Sequence, residues 1–211
     1  MAKPGMRRAY SPSEILNMKK KVFDFDGEWF DAFGTPEQLG VWFIWGNSGN
    51  GKTSFVMQLA RELSRFGKVA YNALEEGTSK TVQDSIERFG LDELDGKLQF
   101  ICEGMDMLTA RLAKRRSPDY VIVDSFQYAQ LTYKQYISFK EANANKLIIF
   151  VSHADGKRPS GRAAVSVMYD AALKVWVEGY RALSKGRYIG EVGYYDAWKE
   201  GALEYWGENE I

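Results

Sequence analysis

One cysteine, one histidine and no surplus of either charge leave this 211-residue chain with few compositional signatures. With Cys102 alone, an internal disulfide is excluded; the thiol suits a reducing interior and is expected to pack as a small apolar residue. Lys+Arg and Asp+Glu both number 28, so no global basic field announces nucleic acid or a membrane surface. Any such partner has to be held by a local patch. No apolar run approaches the ~20 residues of a membrane span, and the N-terminus lacks a signal-peptide core. The expected compartment is the cytoplasm, with no membrane contact. Repeats and low-complexity tracts are absent too, and the length suits a single α/β core.

What the chain does have is Gly46-Asn47-Ser48-Gly49-Asn50-Gly51-Lys52-Thr53, the G-x-x-x-x-G-K-[ST] phosphate loop. The apolar run Val41–Trp45 precedes it, and Phe55, Val56, Leu59, Ala60 and Leu63 recur after it at helical spacing. Strand, glycine loop and helix are the context this loop requires. Its glycines let backbone N–H groups turn around phosphate oxygens, and the helix N-terminus adds partial positive charge. The expected binding set is Gly46 to Ser54, with Lys52 reaching the β- and γ-phosphates and the Thr53 hydroxyl ligating Mg²⁺.

Strands are expected near Val69–Ala73, Leu98–Cys102, Tyr120–Asp124 and Leu147–Ser152. Helices are expected near Thr53–Phe66, Ser79–Phe89, Met105–Arg115 and Thr132–Ala142. The strands are near-continuous apolar runs, as in a mainly parallel sheet with helices on both faces. Beyond Gly161 the segments Leu173–Val177, Tyr180–Arg187, Glu191–Tyr195 and Leu203–Trp206 are short, aromatic and glycine-punctuated, which predicts appended antiparallel strands. Residues 1–22 read as a basic arm, with Arg7, Arg8 and Lys19 to Lys21. Ser11-Pro12-Ser13-Glu14 opens a short helix in it, running to about Lys20. Residues 23–211 read as one ATPase domain.

Two acidic elements follow the loop. Tyr120–Val123 is an apolar strand ending in Asp124; at the carboxyl end of a strand beside the loop, such a carboxylate orders the Mg²⁺ shell. Glu75-Glu76 ends the strand after the loop helix. There a carboxylate can accept a proton from the water attacking the γ-phosphate, or the pair can simply cap a turn. Asn145-Lys146 precedes a strand and no Asp completes a guanine-recognition motif, so ATP is the expected nucleotide.

In order, GNSGNGKTS, YNALEEG, YVIVDSFQ, IIFVSHADG and SKGRY resemble the RecA-fold P-loop ATPases, nearest to the bacterial RadA/Sms DNA-repair branch and next to DnaB-type helicases. The resemblance spans about residues 24 to 195. It implies that Glu75 is the catalytic carboxylate and that Asp124, Ser125 and Gln127 match the Asp-Ser-x-Gln strand end. His153 falls at the γ-phosphate sensor position, and Lys185-Gly186-Arg187-Tyr188 resembles the Lys-Asn-Arg-Phe segment that reaches a neighbouring subunit's γ-phosphate. Gly186 departs from that pattern, the segment from Phe126 to Thr132 is short for a DNA loop, and the family's zinc-finger, protease-like and helicase N-terminal modules have no counterpart.

His153, the only histidine, is either this sensor or a core hydrogen-bonding group. Lys157, Arg158 and Arg162 crowd the next loop, which reads as a phosphate-backbone contact or a solvated loop. Tyr128, Tyr133, Tyr136 and Phe139 offer stacking faces to single-stranded bases, although Tyr136 and Phe139, three apart, also fit a core stripe. The implied activity is a homo-oligomeric Mg²⁺-dependent ATPase, ring or filament, stimulated by DNA, single-stranded by preference, bound near Tyr128 and Lys157–Arg162. A KaiC-like regulatory ATPase acting on proteins is the alternative. A small-molecule kinase fits less well, because the C-terminal third reads as β-rich.

Overall fold

The computed structural model describes residues 8–207; residues 1–7, Arg7 of the arm included, and 208–211 lie outside the described residues. The apolar runs become β1 (Gly40–Gly46), β2 (Val69–Ala73), β3 (Leu98–Ile101), β4 (Tyr120–Asp124) and β5 (Leu147–Asp155). β6 (Arg158–Pro159), β7 (Leu173–Glu178), β8 (Arg181–Ser184) and β9 (Tyr194–Asp196) follow. One sheet takes the order β3-β2-β4-β5-β1-β7-β8-β9, with β6 paired to β5. From β3 to β7 along that path the strands are parallel, so Leu173–Val177, expected among the appended antiparallel strands, instead extends the parallel sheet beside β1; β8 and β9 are antiparallel.

Alternate side chains of β1 enter different layers. Trp42 and Ile44 pack with Phe55, Val56 and Leu59, whereas Val41, Phe43 and Trp45 pack with Leu108, Tyr136 and Val167. Helices cover both faces, which is why the strands read as continuous apolar runs. The helices are α1 (Pro12–Leu16), α2 (Gly27–Phe33), α3 (Lys52–Leu63), α4 (Lys80–Arg88) and α5 (Met105–Leu112), then α6 (Phe126–Ala129), α7 (Tyr133–Ala142), α8 (Arg162–Asp170) and α9 (Lys199–Trp206). The buried Phe55, Val56, Leu59 and Leu63 bind α3 to the sheet, each worth about 1.5–3 kcal/mol. That anchors the helix that begins where the glycine loop ends.

Both bonds of the Ser11/Glu14 capping box form, but α1 stops at Leu16 and buries none of its residues. Tyr136 and Phe139 are buried, so they belong to the core stripe of α7 and are not stacking faces. Cys102 is exposed just beyond β3 and does not pack as an apolar residue.

The C-terminal third departs most from expectation. Leu203–Trp206 is the second half of α9, whose buried residues are Gly201 and Ala202. Gly201 lies under the Trp198 ring, so close that a Cβ would come within 2.2 Å of Trp198 Cε3. Arg162–Asp170 is a helix, with Ala164 and Val167 buried. The strand expected over Tyr180–Arg187 is confined to Arg181–Ser184, and the next one begins at Tyr194. The intervening chain turns aside to the end of α2, where Gly190 N–H donates to Ala32 O and Val192 and Gly193 N–H to Asp31 O.

Candidate functional site

The phosphate loop leaves the carboxyl end of β1, and its shape is set on both flanks before any ligand is considered. Gly49 and Gly51 take φ of 78° and 85°, the left-handed region that favours glycine. Gly46 lies against β7, where a Cβ would meet Val177 O at 2.3 Å. On one side Asn50 accepts from Gly179 N–H at 2.9 Å, while its own carbonyl accepts from Tyr180 N–H at 3.0 Å. On the other side Asn47 donates to Gly156 O at 3.1 Å. Asn47 and Asn50 therefore use their side chains to brace the loop. α3 starts at Lys52 with Gly51 as a cap that has no side chain, so its first N–H groups have no side-chain acceptor.

A cleft of about 560 Å³ opens at this point. Ser48, Gly49, Gly51, Lys52, Thr53 and Ser54 line one wall, and Glu75, Asp124 and His153 line the other. Burial pushes the Lys52 ammonium below its ordinary pKa, with the Asp124 and Glu75 carboxylates pulling the other way. A cation in that position gains from an arriving phosphate.

In the sheet β5 lies between β4 and β1. Asp124 still reaches the cleft since the parallel strands end together, with Asp124 opposite Val151 and Gly46 opposite His153. Burial raises the Asp124 pKa, opposed by a hydrogen bond from the Tyr71 hydroxyl at 2.5 Å and by the Lys52 charge. Burial likewise pushes the Tyr71 phenol well above its usual range.

The two glutamates separate cleanly. Glu75 Oε2 lies 2.8 Å from His153 Nε2, and Glu75 N–H donates to Asp124 O at 3.2 Å. Glu76 turns to the start of α4, accepting from the Ser79 and Thr81 hydroxyls. His153 is half-exposed at the cleft, not a core group. Its backbone N–H donates to Gln127 Oε1 at 3.1 Å, and Gln127 Nε2 donates to Ser152 Oγ and Ser160 O at 2.9 and 3.0 Å. Sequence spacing had no means of revealing a contact between residues this far apart.

Lys157–Arg162 is not an open loop. Asp155 to Arg158 close a tight antiparallel turn, Arg162 begins α8, and Trp45 Nε1 donates to Lys157 O at 3.2 Å. Lys157, Arg158 and Arg162 are exposed, as is Tyr128 on the short α6. Lys185 and Arg187 do not join the cleft of their own chain. Their backbone N–H groups donate to Lys174 O and Ala172 O, at the start of β7. The loop abuts the other end of that strand, where Gly46 pairs with Val177, four residues on and about 13 Å away at ~3.3 Å per residue. A Cβ on Gly186 would meet Ala172 O and Lys174 N at 2.8 Å, so the asparagine of the resembling motif does not fit here.

Thr53 and Asp124 supply one hydroxyl and one carboxylate at the cleft. That fits Mg²⁺, which commonly takes one or two protein ligands and completes its shell with water and substrate phosphate. No group of three or more His, Cys, Asp or Glu able to hold a metal occurs among the described residues. No helix among them is long and apolar enough to cross a membrane.

No family model and no curated protein matches this sequence. Solved structures do. The flagellar accessory protein FlaH from Methanocaldococcus jannaschii aligns at 17% identity over 84% of this chain and 92% of its own, with a TM-score of 0.58. The KaiC-like protein PH0186 from Pyrococcus horikoshii OT3 aligns at 16% identity over 79% of this chain and 93% of its own, with a TM-score of 0.55. At such identity the likeness carries the fold, not a closeness to the RadA or DnaB branch. The chain has a RecA-like α/β fold with a mostly parallel central sheet and antiparallel strands at its C-terminal edge.

Proposed function

We propose that this protein binds ATP with Mg²⁺ and hydrolyses it. The observation that carries the reading is the convergence on one cleft of the braced loop, Lys52, Thr53, Asp124 and the Glu75–His153 pair. Backbone N–H groups of the loop and of the first turn of α3 hold the phosphates, and Lys52 neutralises the β- and γ-oxygens. Thr53 and Asp124 hold the metal, which when bound offsets the charge developing on those oxygens. Glu75 accepts a proton from the water that attacks the γ-phosphorus as the bond to ADP breaks. His153 orients the Glu75 carboxylate and senses the γ-phosphate. Lys185 and Arg187, remote from their own cleft, act on the cleft of a neighbouring copy in a homo-oligomer.

The proposed effector is DNA, single-stranded by preference, held at the exposed Lys157, Arg158 and Arg162 near Tyr128. The support is connectivity: the same turn touches Asn47 of the phosphate loop and Trp45 of the strand before it, and β5 carries His153. A second reading, a nucleotide-switched ATPase acting on proteins, is favoured by the shortness of that turn and of α6. The similar structures, those of a flagellar accessory protein and a KaiC-like protein, agree with it. Phosphate release with and without single-stranded DNA separates the two. Stimulation that Lys157→Ala/Arg158→Ala removes supports the DNA reading; rates unchanged by DNA at low salt support the second.

A further inference from the structure

Tyr71 sits in the middle of β2 with its ring fully buried, and nothing in its sequence position marks it as more than core. Its ring stacks on Phe100 of β3, centroids 5.0 Å apart and planes 24° from parallel. The hydroxyl crosses to β4 and donates to Asp124 Oδ2 at 2.5 Å. The same residue lines the cleft beside Asp124 and Lys52.

We propose that Tyr71 is the positioning residue of the metal site: its hydroxyl holds one oxygen of Asp124 so that the other is presented to the Mg²⁺ shell. The proposal rests on the reading of Asp124 as the metal carboxylate. Physically, a partly buried carboxylate with one cation in its neighbourhood is drawn toward that cation. Lys52 is that neighbour, and its charge is needed by the phosphates. The Tyr71 hydroxyl gives Asp124 a neutral partner, leaving Lys52 for the nucleotide. Partners of this kind orient metal ligands, and their loss typically costs about 10- to 100-fold in metal affinity or activity.

The experiment is equilibrium binding of a fluorescent, non-hydrolysable ATP analogue to the full chain, titrated with MgCl₂, and repeated in EDTA. Tyr71→Phe keeps the ring and its stacking on Phe100. It is expected to raise the Mg²⁺ half-saturation by about 10-fold or more while leaving affinity in EDTA within about twofold. Phe100→Leu is the packing control: it loosens the ring and keeps the hydroxyl, and is expected to lower the melting temperature without moving the Mg²⁺ half-saturation. Should Tyr71→Phe fail to fold, Phe100→Leu still tests the idea, because equal sensitivity of the metal dependence to packing alone overturns it. Asp124→Asn separates the two levels of the argument. If it leaves the Mg²⁺ dependence unchanged, the metal assignment fails and the proposal falls with it. If it shifts that dependence and Tyr71→Phe does not, Tyr71 merely satisfies a buried carboxylate. If both shift it, the Tyr71→Phe/Asp124→Asn double variant is expected to match Asp124→Asn alone, and an additive effect contradicts action through Asp124.

Discussion

Replacing Glu75 with glutamine removes a proton acceptor and little else. The amide keeps the length and shape of the side chain and can still bond His153 Nε2, which lies 2.8 Å from the carboxylate. Both side chains of that pair are partly exposed, at 42% for His153 and 33% for Glu75. A pair of that kind is worth only about 0.2–1 kcal/mol, so nucleotide affinity is expected to change by no more than about fivefold. Turnover is another matter. A positioned general base contributes about 10²- to 10⁴-fold, which at 1.36 kcal/mol per tenfold is ~2.7–5.4 kcal/mol of barrier. Single-turnover phosphate release, run beside binding of a fluorescent ATP analogue, is expected to show near-normal binding and a rate lower by that factor. Glu76→Gln, whose side chain serves the start of α4, is expected to stay within a few-fold of the parent. Stalling in Glu76→Gln instead of Glu75→Gln would reassign the base to the neighbouring carboxylate. Stalling in neither refutes a glutamate base at this strand end.

Three further outcomes follow from the geometry. Asn50→Ala leaves the Gly179 N–H without its acceptor; a cost of about 1–3 kcal/mol in chemical denaturation is expected, together with weaker nucleotide binding, because the loop loses a brace. Gly186→Asn, which would restore the resembling motif, is expected to destabilise the fold by ~1–3 kcal/mol, since a Cβ there meets backbone at 2.8 Å; unchanged stability contradicts that account of the glycine. Arg187→Ala and Lys52→Ala chains, each inactive alone, are expected to recover some hydrolysis when mixed, because one interface then pairs an intact loop with an intact arginine. Co-assembly without recovery, or full activity of Arg187→Ala alone, contradicts a shared site.

The parallel half of the sheet was legible because strands buried on both faces are written as unbroken apolar runs, and the phosphate loop because its glycines and Lys52 serve one local shape. The C-terminal third was not. In α9 the inward positions are Gly201 and Ala202, so no apolar stripe announces a helix, while the exposed Leu203 and Tyr205 imitate a strand. α8 hides similarly behind the small Ala164. At the cleft, the residue types were readable but their partners were not. Glu75 meets His153 and Tyr71 meets Asp124 only because the sheet order brings β2, β4 and β5 together. Likewise β5, inserted between β1 and β4, is a property of topology that no local pattern encodes.

The most direct test of the account is phosphate release from ATP by the purified chain, in Mg²⁺ and in EDTA, with Lys52→Ala measured alongside. Lys52 is the cleft's one loop cation, half-buried and offset by two carboxylates. The expected result is Mg²⁺-dependent release that EDTA abolishes and that Lys52→Ala reduces to background, with weakened ATP binding in the variant. Equal release by the parent and Lys52→Ala, or a parent chain that binds no ATP at all, contradicts it.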